Sequence, residues 1–169
     1  VVDEAVSLLQ ELVRIPTVNP PGDGYSAFAE RMDEAYRAFG YDTTRVVADD
    51  HPDHSDRYPR VNVWARRMGS APGPCLHFNG HLDVVPAGLG WTRDPFGGEL
   101  VDGVVFGRGT CDMKAGIVAS LFAVEALARE GLSLHGAVEQ SATVDEESGG
   151  SAGVALLAER GLFHPSKQQ

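Results

Sequence analysis

The chain has 169 residues, enough for one domain with a real core, and its 43% apolar and 22% charged content is that of an ordinary globular protein. A formal charge of −10 argues against nucleic acid and against an anionic membrane surface, and no apolar run approaches the roughly 18 residues of a membrane span. The start, Val1-Val2-Asp3-Glu4, lacks the basic and apolar regions of a signal peptide, and two cysteines, Cys75 and Cys111, make no disulfide framework. The expected compartment is therefore cytoplasmic.

Val6, Leu9 and Val13, with Leu8 and Leu12 beside them, predict an amphipathic helix over 3–14 that stops before Pro16. Asn19-Pro20-Pro21-Gly22 is a turn-rich break. A second helix over 25–39 aligns Phe28, Met32, Ala35, Tyr36 and Phe39, with Gly40 as its C-terminal cap. Strands are expected over 41–47, 61–65 and 75–79, with a polar, exposed loop over 49–60. Residues 99–106 read as a hairpin turning at Asp102-Gly103. The strongest helix covers 113–130, with Ile117, Leu121, Val124 and Leu127 in register and Gly131 at its end. A strand over 137–144 and a helix over 151–160 follow, and then a polar stop from Phe163 to Gln169 with no closing strand. This alternation predicts an α/β fold, a three-layer sandwich about a mainly parallel sheet.

Three acidic stations each close an apolar run or enter the next element: His81-Leu82-Asp83, Gly107-Arg108-Gly109-Thr110-Cys111-Asp112, and Asp145-Glu146-Glu147. Ligands of α/β sheets gather at the carboxyl ends of strands. His81 and Asp83, two residues apart, share one face of an extended strand. A metal-bound His usually passes its other ring proton to a carboxylate, a role Asp83 is placed to fill. The plainer alternative is a hydrogen-bonded His beside a turn-forming Asp. Asp112 stands at the start of the strongest helix, where Asp is a preferred N-cap, and a bridging metal ligand could occupy the same position. The loop before it is not a dinucleotide fingerprint, because Asp112 replaces the third glycine.

Glu146 and Glu147 suit the positive end of a helix. Alternatively, adjacent carboxylates point in different directions, so one can ligate a metal while the other moves protons. One imidazole with several carboxylates suits a hydrolytic zinc centre. His51 and His54 read as solvated loop residues, and His77 as a core or supporting residue. Lys114 reads as a surface or supporting charge at a helix start. Cys111 lacks the paired His of a nucleophile. Trp91, Pro95 and Phe96 are expected to pack against the wall of the site.

In combination, His81-Leu82-Asp83-Val84-Val85-Pro86, Trp91 with Asp94-Pro95-Phe96, Asp102-Gly103, Gly107-Arg108-Gly109, Asp112-Met113-Lys114 and Asp145-Glu146-Glu147-Ser148 resemble the M20 metallopeptidases. The resemblance is strongest to the acetylornithine deacetylase and succinyl-diaminopimelate desuccinylase group. It runs from the first helix to the chain end, with Ala115 a minor departure where the family often has Gly.

The resemblance implies an amide hydrolase with two zinc ions, cobalt being the alternative metal. His81 and Glu147 would be terminal ligands, Asp112 the bridge, Asp83 the group that orients His81, and Glu146 the general base and acid. It also implies a cis peptide after Asp112, and substrates that are N-acyl amino acids or small peptides. A homo-oligomer is compatible with it. Carboxypeptidase or dipeptidase activity is the rival within the family, and a binding or assembly module without catalysis is the rival outside it. Full-length members add a carboxylate ligand, a distant His and a lid and dimerisation domain. The resemblance therefore implies that residues 1–169 are the N-terminal portion of a catalytic domain, weak in metal binding and low in activity alone.

Overall fold

The computed structural model describes residues 1–163, so all of the polar stop from Phe163 to Gln169 except Phe163 lies outside the described residues. Helix α1 (Val2–Val13) leads through the cis-proline turn Asn19-Pro20-Pro21 to helix α2 (Tyr25–Ala38). Strands β1 (Asp42–Val47), β2 (Val61–Met68) and β3 (Ala71–His81) follow, then the hairpin β4 (Glu99–Val101) and β5 (Val104–Phe106). Helix α3 (Lys114–Arg129) crosses to β6 (His135–Thr143), and the short helix α4 (Leu156–Glu159) comes last.

The order of the main sheet is β1-β2-β6-β3, and the α/β class matches the expectation. The pairing is more mixed than the alternation of helices and strands suggested. Among the described strands of this sheet only β3 and β6 pair in parallel, while β1–β2 and β2–β6 are antiparallel. A parallel neighbour needs a long crossover, and the route from β3 to β6 through α3 provides one. The connection from β1 to β2 contains no helix.

One face of the sheet is covered by the helices. Val63 and Ala65 of β2, and Val138 and Ala142 of β6, are buried against Phe28, Met32 and Tyr36 of α2 and Ile117, Val118 and Leu121 of α3. Removing this apolar surface from water, at about 25 cal/mol per Å², is the main force holding the layers. Alternate residues point the other way and are more polar. His77 of β3 contacts Glu139 and Ser141 of β6 at 3.0 Å each, so it belongs to the packed sheet, as its place in a strand implied. Asn62 donates to the Ala152 carbonyl, tying the segment before α4 to this second face.

The predicted hairpin turn is present, with Asp102 and Gly103 both at positive φ. Two expectations need correction. The helix expected over 151–160 is a π-helical stretch, Ser151–Ala155, joined to a single short α-turn, Leu156–Glu159. Gly153 breaks the helical path because it sits against the Val144 carbonyl, which a Cβ would approach at 2.1 Å. The loop over 49–60 is exposed along much of its length, but its last residue, Arg60, is 3% exposed and lies inside the protein.

Candidate metal centre

The parallel pair places two stations side by side. His81 ends β3 directly opposite Thr143, which ends β6, so the chain leaves both strands at one rim. The residues after His81 stay held. Leu82 N donates to the Thr143 carbonyl, and Val84 N to the Thr17 carbonyl, each within 2.9 Å. Asn19 N returns a bond to the Val84 carbonyl, so 17–19 runs as a short rail beside 82–84.

The third station enters from α3. The Asp112–Met113 peptide is cis, as the resemblance implies. Asp112 does not cap the helix. The N-cap is Met113, without a side-chain hydrogen bond, and the Asp112 carboxylate reaches His81 Nε2 at 3.0 Å instead. Gly80 makes this approach of helix and strand feasible, since a Cβ there would lie 2.7 Å from Ile117.

One donor atom each from His81, Asp112 and Glu147 lies within 4.8 Å of the others. An imidazole and two carboxylates converging in this way are a donor set for zinc. Glu146 stands next to the set: its Oε2 is 3.7 Å from His81 Nε2, and its side chain is 56% exposed.

Asp83, fully buried, is the hub beneath them. Its backbone oxygen accepts from His81 Nδ1 at 2.9 Å, while its carboxylate lies 3.5 Å from the same nitrogen. The carboxylate accepts instead from Asn19 Nδ2 and from the backbone N–H groups of Glu146 and Glu147, at 3.1–3.2 Å. Asp83 thus orients His81 chiefly through its carbonyl and holds the glutamate pair through its carboxylate.

The electrostatics follow from these contacts. Burial favours neutral His81, but its contacts with Asp83 and Asp112 prevail and raise its pKa to about 9. Burial likewise opposes ionised Asp83, and the nearby His81 ring together with the bonds from Asn19 and the Glu147 N–H overcomes it, leaving the carboxyl below its ordinary value. Glu147 is shifted upward, by burial first and then by the neighbouring charges of Asp112, Asp83 and Glu146, against the opposing pull of His81.

All five residues named from the sequence, His81, Asp83, Asp112, Glu146 and Glu147, meet at this rim. Others took part without having been singled out. Asn19 appeared only as part of a turn, Tyr25 only as part of an apolar helix, and Arg60 only as the end of a polar loop. The one sequence signal for Arg60 was a charge abutting the apolar start of a strand. Lys114 is fully buried and not a surface charge; its Nζ donates to the Leu12 and Ile15 carbonyls at 2.9 and 2.8 Å. Trp91 leans on Arg108, 5.4 Å from its guanidinium carbon, and donates to the Ala87 carbonyl.

The family signature described as Peptidase family M20/M25/M40 matches residues 77–168. The chain belongs to this family. It is 40% identical over 157 residues to the succinyl-diaminopimelate desuccinylase of Cereibacter sphaeroides, a match covering 91% of this chain and 38% of that protein. The chain therefore spans about two fifths of the length of the curated relatives it matches. Among solved structures, human carnosine dipeptidase 1 superposes with a TM-score of 0.78 at 27% identity, covering 98% of this chain and 37% of that one. A dipeptidase of Saccharomyces cerevisiae superposes at 0.81 and 24% identity, covering 94% and 35%, and shares the fold.

Proposed function

We propose that this M20 chain is the N-terminal, metal-holding portion of a zinc-dependent amidohydrolase of the succinyl-diaminopimelate desuccinylase type, acting in the cytoplasm on small N-acyl amino acids. One observation carries the reading: three donors, the His81 imidazole and the Asp112 and Glu147 carboxylates, converge within 4.8 Å while the adjacent Glu146 stays outside the set. A hydrolytic metal centre needs this division of labour between ligands and a free base.

His81, Asp112 and Glu147 would hold the metal, and two ions would be bound if the family resemblance holds. When bound, zinc supplies a Lewis acid that polarises an amide carbonyl and makes water a better nucleophile. Asp83 keeps His81 turned toward the rim and fixes the backbone of both glutamates. Glu146, within 4 Å of the His81 ring and open to solvent, takes a proton from the attacking water and returns it to the leaving nitrogen. A catalytic zinc normally has three protein ligands, so three donors shared between two ions imply weak binding and slow turnover by this chain alone.

The likeness to a human dipeptidase supports a second reading, in which the amide is a peptide bond. Turnover of N-succinyl-diaminopimelate, N-acetylornithine and a dipeptide by the zinc-loaded chain separates the two. Greater turnover of the succinyl substrate is expected, with a loss of at least ~100-fold in Glu146→Gln. A preference for the dipeptide would favour the second reading, and undiminished activity in Glu146→Gln would sink the assignment of the base.

A further inference from the structure

The Glu146–Glu147 pair is held from two sides, and the second side lies away from the metal donors. Asp145, which precedes the pair, has φ 59 and ψ 24, a left-handed backbone that few residues other than Gly adopt and that Asp tolerates comparatively well. Its carboxylate is buried and accepts from Arg60 Nε and from the Tyr25 hydroxyl, both at 2.8 Å. Arg60 is anchored in turn. Its Nη1 donates to the Pro21 and Tyr58 carbonyls, and its guanidinium carbon lies 5.5 Å from the Tyr25 ring centroid. The Asp145 carbonyl accepts from Ser148 N and Gly150 N, which closes the turn carrying both glutamates. A buried charge pair this costly to desolvate gives register when every partner is satisfied, and here the register it fixes is that of a turn.

We propose that Arg60 and Tyr25, acting through Asp145, are positioning residues that set the direction of the Glu146 and Glu147 side chains. The inference rests on the metal-centre reading. Asp83 grips the turn through the N–H groups of Glu146 and Glu147, and Arg60 with Tyr25 grips it through the side chain one residue earlier. With both grips in place, Glu147 faces the donor set and Glu146 is left beside it. With the second grip released, Asp145 leaves its left-handed conformation and the carboxylates lose their fixed directions.

The test uses the whole chain with Tyr25→Phe and Arg60→Lys. Tyr36→Phe is the matched control, a fully buried tyrosine whose hydroxyl has no hydrogen-bond partner among the described residues. Cobalt(II) is titrated and its visible absorption recorded, and amide hydrogen exchange of Glu146 and Glu147 is measured without added metal. Expected are a loss of roughly tenfold in cobalt affinity, a shifted absorption band, and faster exchange at both amides in Tyr25→Phe and Arg60→Lys, with Tyr36→Phe unchanged in all three.

Cobalt binding and amide protection equal to the unsubstituted chain in both variants would overturn the positioning role. If the unsubstituted chain bound no cobalt, the metal reading would fall. The exchange rates would then decide the positioning role alone: faster exchange in the two variants upholds it, and unchanged exchange refutes it.

Discussion

Glu146 and Glu147 are covalent neighbours with unlike surroundings. Glu147 lies among the donors, its carboxyl pushed upward by burial and by the charges of Asp112, Asp83 and Glu146, while Glu146 is more than half exposed. Glu147→Gln should therefore weaken zinc binding, whereas Glu146→Gln should preserve it and lower hydrolysis; isothermal titration beside a turnover assay separates the two. Asp83→Ala should cost on the order of 2 kcal/mol in denaturant unfolding, because it strands the buried Asn19 amide and two part-buried backbone N–H groups that now meet a carboxylate. A loss below about 1 kcal/mol would mean that water replaces the carboxylate easily. At this scale the sequence was most legible where a residue type is costly without a purpose, as with an imidazole and acids at strand ends. Asn19, Tyr25 and Arg60 were not legible, because each acts across 64 to 120 residues of chain and nothing local marks such a partner.

Two contacts between elements set the geometry of the rim. Gly80 lets α3 approach β3, so Gly80→Val should force the two apart, destabilising by roughly 1–3 kcal/mol and weakening metal binding through the displaced Asp112. Thermal unfolding and a zinc titration of the same variant check both effects, and retained stability with retained affinity would contradict the role of close packing. Lys114 ties the end of α1 to the start of α3, and burial lowers its pKa to about 7 from an ordinary value of 10.5. The unfolded chain then binds more protons than the folded one between those two values, so stability contributed by Lys114 rises with pH across that window and is lost as pH falls through about 7. Lys114→Met should flatten the rise of melting temperature between pH 7 and pH 10 relative to the unsubstituted chain, and parallel profiles would contradict this. Element types followed from periodicity, including the strong pattern that became α3. Pairing directions did not, because an alternation of helices and strands carries no information on which strand inserts between two others, as β6 does between β2 and β3. The last helix was misjudged for a related reason: Gly153 yields to the Val144 carbonyl, a contact made only in the folded chain.

The whole molecule joins an acidic surface, with a formal charge of −10, to one rim where an imidazole and four carboxylates meet. No helix among the described residues is long and apolar enough to cross a membrane. The chain covers 38% of the length of the Cereibacter sphaeroides desuccinylase, so its metal affinity measures how much of the centre these residues build alone. A zinc titration of the whole chain, read as stoichiometry and affinity with Asp112→Ala beside it, tests the central claim most directly. Expected is measurable but weak zinc binding that falls about tenfold or more in Asp112→Ala, which removes one of the three converging donors. Zinc binding of equal strength in Asp112→Ala, or none in the unsubstituted chain, would contradict a metal centre built on His81, Asp112 and Glu147.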